Sequence, residues 1–484
     1  MKSKILKVTF LQSTRTRFIA SLTLCFSGFV LADLRSEEAP HSSTSLKDED
    51  IFGKQKIHDI HLKFTAEDWK SMEPVNGPRP GRGKNRSFLQ GPEGGRNGIA
   101  AAFGITYNYV WADLEFGTRT YRGVGLRYKG NGTFLSSRES LKRSLKIDMN
   151  QFVKGQKLAG MTQLNLHNSV RDPSGMNESI AYGLFRKAGV PAPRTSHANV
   201  YVTVPGLHKR KYFGLYNLVE DVGSRFVEKQ LKVSDGALLK PVTPNLFADL
   251  GVEWKSYNQT YDPKGKLSGV QKKRIIETCK FLSNSTPEQF ANGIAQYFDL
   301  ENFANYLAMT VWLSDLDGIL GPGQNYYLYL HPKTQKFSFM AWDQDQSFGQ
   351  FPRGTQEQRE NLSINRPWNG RSSFLEKLFA SDSFKSKYLD SLRKINQSLI
   401  EVSELDKQVM ELTGLLQEFI GKESEERLET FKKAGSGKPY PLDMGPGYRE
   451  PVQITPLNTF VKARSKSIDD QLSGKSEGLT IRGR

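Results

Sequence analysis

The sequence predicts an α+β protein with a sheet-rich N-terminal half and a mainly helical C-terminal half. Three observations lead there. Short runs of alternating apolar and polar residues recur up to about residue 149. A capped helical segment and a hairpin come next. Helical periodicity then dominates from about residue 299, interrupted by one further hairpin. The 484 residues suit one large bilobal module or two to three small domains. A composition of 37% hydrophobic, 25% charged and 11% aromatic residues excludes collagen, coiled coil and a multi-span membrane protein. Two cysteines exclude a disulfide scaffold and a cysteine-based zinc finger.

Residues 1–32 read as a signal peptide. Lys2, Lys4, Lys7, Arg15 and Arg17 precede an apolar run from Phe18 to Ala32, with a small residue at the cleavage position before Asp33. That run is short for a spanning helix; a retained N-terminal anchor is the competing reading. The expected protein is exported (periplasmic, secreted or at the cell surface), with no transmembrane span once the signal is removed. The net charge is +17. It suits acidic surfaces or phosphorylated ligands. Export and the scattered placement of the positive charges argue against nucleic acid.

Residues 33–50, rich in Ser, Thr, Glu and Asp, form a flexible lead-in to a domain expected over 51–400. Residues 56–64 alternate as a strand that turns His58 and His61 to opposite faces, so the two cannot ligate one metal. The Gly/Pro-rich stretch 77–98 is a loop. Strands are expected over 108–116, 119–129 and 142–149, with a glycine turn at Lys129-Gly130-Asn131-Gly132-Thr133. Asp172-Pro173 offers an N-cap and first-turn proline for a helix ending at Gly189. Residues 200–204 and 212–219 form a hairpin, 299–313 a helix, and 326–330 with 336–342 a second hairpin. Helices continue from about 373 to 420. Residues 401–484 are a helical extension and a tail that turns irregular from Gly435.

The densest polar cluster lies between Ser314 and Gly349. Asp315, Asp317, Asn325, Asp343 and Asp345 flank the second hairpin, and Asp343 closes its second strand. Carboxylates gathered at a strand end beside an amide are hard oxygen ligands suited to Mg²⁺ or Mn²⁺. Asp315 or Asp317 can orient or deprotonate a hydroxyl. Ordinary turn capping by Asp and Asn is the bland alternative. Lys142 and Lys146 alternate with apolar residues on one strand, where either can meet phosphate or simply face solvent. Glu178 shares a helix face with Ala181, Tyr182 and Phe185 and wants a cation there; a surface acid is equally compatible. Glu220 ends a strand.

Four segments together resemble the spore coat protein H (CotH) kinase family: Arg127-Tyr-Lys-Gly-Asn-Gly-Thr133, Lys142-Arg-Ser-Leu-Lys-Ile-Asp148, Gly214-Leu-Tyr-Asn-Leu-Val-Glu220, and Asn325-Tyr-Tyr-Leu-Tyr329 followed by Trp342-Asp-Gln-Asp-Gln-Ser-Phe-Gly349. The resemblance implies an atypical bilobal protein-kinase-like fold and ATP-dependent phosphorylation of Ser/Thr on secreted or coat proteins. By that resemblance Asp317 is the catalytic Asp, Asn325 the loop Asn and Asp343 the metal Asp. Lys142, Lys146, Glu178 and Glu220 are the candidates for holding nucleotide. The chain departs from ordinary kinases in the eight-residue step from Asp317 to Asn325, in lacking a GxGxxG loop, and in carrying Gln344 and Gln346 where the family often has apolar residues. Asp315 competes for the catalytic role. Two rivals remain: a kinase-fold coat, surface or adhesion protein without catalysis, and a metal-dependent phosphoesterase using the same aspartates.

Overall fold

The computed structural model describes residues 46–76, 88–444 and 450–482. The expected signal peptide, residues 33–45 of the lead-in and residues 77–87 of the Gly/Pro-rich stretch lie outside the described residues.

Seven strands of the N-terminal half close into a barrel. In chain order they are Ile57–Lys63, Val110–Phe116, Arg119–Tyr128, Leu145–Asp148, Gln163–His167, Thr195–Val204 and His208–Glu220. Neighbours are antiparallel except at the closure, where Ile57–Lys63 runs parallel to Thr195–Val204. Alternation explains why each strand holds its place. Ile60, Leu62, Ala112, Leu114, Val124, Leu126, Ile147, Leu164 and Leu166 are buried in one core. The sequence reading located most of these strands. It missed Gln163–His167, and it could not show the closure, because the parallel pair joins segments more than 130 residues apart.

Asp172 differs from its expected N-cap role. The helix begins at Asn177 and runs to Lys187. Asp172 instead accepts from Ser174 N at 3.0 Å and Asn177 N at 2.8 Å, so its carboxylate organises the turn that leads in. The C-terminal end is as expected, with Gly189 at φ +76°.

The C-terminal half packs helices around a three-stranded sheet of Ala237–Leu239, Tyr326–Leu330 and Phe337–Ala341. Helix Leu300–Trp312 lies against it, with Phe303 stacked on Phe339 at 4.3 Å between ring centroids. The expected irregular tail is a second correction. A hairpin of Tyr440–Leu442 and Val452–Ile454 is followed by a sixteen-residue helix, Leu457–Leu472. Its Leu457, Phe460, Val461 and Ile468 enter the main core. Gly and Pro around 435–456 mask this in the sequence, because they punctuate the lead-in and not the helix itself. Among the described residues no helix is long and apolar enough to cross a membrane.

Candidate active site

The site forms where the helix Leu300–Trp312 ends and the second hairpin begins and ends. Asp315 and Asp317 follow the helix in a tight turn; Asp315 accepts from Asp317 N at 3.2 Å. Asn325 enters the first strand at φ +63°, and Asp343 leaves the second at φ +55°. Both conformations are unusual for residues other than glycine, and Asn and Asp tolerate them best. Asp317, Asn325, Asp343 and Asp345 line one cavity of 1130 Å³ together with Asn131, Gly132 and Thr133 of the glycine turn.

Three side-chain amides hold the Asp317 carboxylate. Gln324 Nε2 donates to Oδ1 at 3.0 Å, while Asn325 Nδ2 at 2.9 Å and Gln346 Nε2 at 3.2 Å donate to Oδ2. Burial, then the negative charge of Asp315, pushes its carboxyl up to about 8 against those amides. Burial likewise lifts Asp315, which accepts from Gln344 at 3.1 Å, to about 6. Asp345 is raised well above the carboxylate range by burial and by Asp343. Among the described residues no Lys or Arg forms an ion pair with any of these four acids. A hard, oxygen-rich cluster without a direct ion pair fits a divalent cation, with Asp343 and Asn325 as holders and Asp317 beside them.

Beside Asp343 the barrel brings in Lys129 and Lys146. Lys129, at the end of Arg119–Tyr128, contacts His167 Nε2. His167 Nδ1 lies 2.8 Å from Glu178 Oε2. Tyr182 O–H donates to Glu178 Oε1 at 3.1 Å, and its oxygen accepts from Asp343 N at 2.8 Å. The helical acid nominated from sequence therefore has its cation, through an imidazole. With Nδ1–H directed to the carboxylate, Nε2 is left to accept from the lysine. His167, Glu178 and Asp343 each place a ligand atom within 4.8 Å of the others.

Of the two nominated lysines, Lys146 stays near the site. It donates to Asp221 Oδ1 at 2.8 Å, which also accepts from Asn165 at 3.0 Å. Lys142 is taken elsewhere, to Glu423 at 2.7 and 2.9 Å, because the C-terminal helices cover that strand end. Glu220 is also taken elsewhere. Arg194 Nε donates to it at 2.9 Å, and the same guanidinium reaches Asp48 at 2.9 Å, so this acid ties the barrel to the N-terminal segment. The residue after it, Asp221, is the one that meets a site lysine. Lys129, His167, Asp221 and Lys240, whose Nζ lies 4.8 Å from the centre of the Trp342 ring, were missed in the sequence. The one available signal was that Lys129 sits inside the Arg127–Thr133 motif.

An α+β molecule with a barrel lobe, a helical lobe and an aspartate cluster facing lysines defines a kinase-like protein. The CotH kinase protein family model matches residues 126–468, and the chain belongs to that family. The family's kinase character implies ATP and a divalent metal in general terms. No curated protein matches the chain. Among solved structures it is similar to the HipA–HipB toxin–antitoxin complex with operator DNA from Shewanella oneidensis MR-1. The identity is 10% over 64% of this chain and 60% of that one, at a TM-score of 0.31, too low to bear on fold or function.

Proposed function

We propose that the chain is an exported protein kinase that transfers the γ-phosphate of ATP to Ser or Thr of secreted or surface proteins, with Mg²⁺ or Mn²⁺. The observation that carries this reading is the convergence of Asp317, Asn325 and Asp343 on one cavity, with His167 and Glu178 within 4.8 Å of Asp343 and Lys129 on His167. Export rests on the basic and apolar segment at residues 1–32.

In this reading Asp317 receives the acceptor hydroxyl. The hydroxyl oxygen bonds to the γ-phosphorus, the bond to the β–γ bridging oxygen breaks, ADP leaves, and Asp317 takes the proton. Gln324, Asn325 and Gln346 fix the direction of that carboxylate. A divalent cation at Asp343 and Asn325 supplies charge neutralisation for the phosphates and for the aspartates themselves. Glu178 and His167 hold Lys129 toward the phosphates.

The test is a comparison of Asp317→Asn with Asp343→Ala. Asp317→Asn should lower phosphotransfer at least about a thousandfold while ATP still binds. Asp343→Ala should lower both turnover and the metal-dependent part of ATP affinity. Calorimetric titration of ATP with and without Mn²⁺, beside transfer of labelled phosphate to Ser/Thr peptides, reads both. Identical metal-dependent affinities in parent and Asp343→Ala would contradict the metal assignment. ATP binding without any transfer by the parent would favour a non-catalytic kinase-fold surface factor.

A further inference from the structure

The cavity that holds the aspartates also has a basic wall. Arg353, Arg359 and Arg482 line it, and among the described residues no glutamate or lysine does. Two segments build this wall. Arg359 Nη1 donates to Gly354 O at 3.0 Å and Nη2 to Gln453 O at 3.2 Å. Gln358 Nε2 donates to Thr480 O at 3.0 Å, and the buried Ile481 seats Arg482 beside them. Ser314, just before the aspartate turn, donates its hydroxyl to Arg359 O at 2.7 Å. The basic wall and the acidic turn are thus fixed to one another.

None of the three arginines forms an ion pair among the described residues. Arg359 is 4% exposed, and its Nε meets no acceptor. Burial lowers its guanidinium. The acid that opposes this is Glu360, itself engaged by Gln356 at 2.8 Å and Thr455 at 2.7 Å. Arg353 lies over the Phe351 ring at 5.7 Å and is otherwise open to solvent, as is Arg482. A ring face attracts a cation without neutralising it. One buried and two open guanidinium groups on a concave surface focus positive potential into the cavity. Asp317, Asp343 and Asp345 suit a cation; the arginines suit an anion, and the planar guanidinium fork matches a carboxylate.

We propose that Arg353, Arg359 and Arg482 select the acceptor: a Ser/Thr segment flanked by Asp or Glu, whose carboxylates meet this wall while the hydroxyl reaches Asp317. The inference rests on the kinase reading only for transfer to that hydroxyl; recognition of an acidic segment does not need it. A net charge of +17 attracts anions in general. The wall gives that attraction a place beside the aspartates, and a basic acceptor meets like charge there.

Labelled peptides carrying one Ser between glutamates, glutamines or lysines, titrated into the nucleotide-free protein and read by fluorescence anisotropy, test the wall. The parent should bind the glutamate peptide about tenfold or more tighter than the glutamine peptide, and the lysine peptide weakest. Arg353→Gln and Arg482→Gln should each cut that preference about threefold. Arg353→Glu with Arg482→Glu should turn it toward the lysine peptide. Arg359 is left intact because it also holds Gly354 and Gln453. The same charge change at Lys273 and Lys466, exposed and outside the cavity, should keep the glutamate preference. Equal binding of the three peptides by the parent overturns the wall. So does an acidic preference that survives the arginine reversal, or one lost equally in the lysine control. A fall in ATP affinity in the reversed variant as large as the fall in glutamate-peptide affinity gives the arginines to the nucleotide and also overturns it. Selective binding of the glutamate peptide without transfer from ATP sinks the kinase reading and leaves the wall standing. Transfer to the glutamate and lysine peptides at equal kcat/KM does the reverse.

Discussion

Three amides hold the Asp317 carboxylate, yet burial and Asp315 keep its proton on to about pH 8. A cation needs the ionised carboxylate, so binding must displace that proton. Cation affinity should fall as pH drops from 8 through 6, by about tenfold per pH unit for each proton displaced. Titrating Mn²⁺ alone at pH 6, 7 and 8, in buffers of different ionisation enthalpy, reads affinity and proton release together. Asp317→Asn should flatten the profile; an unchanged slope in that variant would remove Asp317 from the cation's surroundings. The aspartates were legible in sequence because one hairpin carries them all. Lys240 and His167 were not, because nothing in the chain around either marks it, and only folding brings them to Trp342. Lys142 and Lys146 look alike in an alternating strand. What separates them is Glu423, 281 residues from Lys142, which no local pattern reveals.

The helix Leu300–Trp312 aims the aspartate turn, and the helix Leu457–Leu472 finishes it. A helix C-terminus leaves carbonyl groups without partners and carries partial negative charge. Arg464, fully buried, donates to Val311 O at 2.9 Å, Trp312 O at 3.3 Å and Leu362 O at 2.6 Å. Trp312 Nε1 in turn donates to Asn396 at 2.8 Å. Burial lowers the guanidinium only to about 10, so it remains charged at neutral pH. Arg464→Met should destabilise the chain by about 3 kcal/mol, since several carbonyls lose their donor at once. Arg464→Lys should recover little of this, because one ammonium cannot match the planar fork. Thermal melts of the two variants check the ordering; a Met variant as stable as the parent would deny the cap. The sequence showed the first helix through its apolar spacing. It hid the second, whose buried arginine reads as a surface residue in a Ser- and Lys-rich segment.

The barrel, the helical half and the C-terminal segment should unfold as one body, because their contacts interlock. The sequence reading ended the domain at residue 400, whereas residues 42–484 form one compact unit and the family match runs to 468. Bonds from the C-terminal segment reach back to the barrel side. Glu423 accepts from Lys142 and from Leu215 N at 2.8 Å, Phe419 O accepts from Tyr212 at 3.1 Å, and Arg427 donates to Pro173 O at 2.6 Å. Beyond residue 400, eleven apolar side chains, among them Leu412, Leu416, Ile420, Phe460 and Ile468, belong to the main core. At about 1.5–3 kcal/mol per buried side chain their loss exceeds the roughly 5–15 kcal/mol that holds a domain folded. Residues 46–400 expressed alone should therefore lack a cooperative transition and aggregate, while the full chain melts in a single step. Near-ultraviolet circular dichroism through a thermal melt distinguishes the two. A sharp transition with native-like signal in the 46–400 fragment would show that the aspartate site needs nothing from the C-terminal helices.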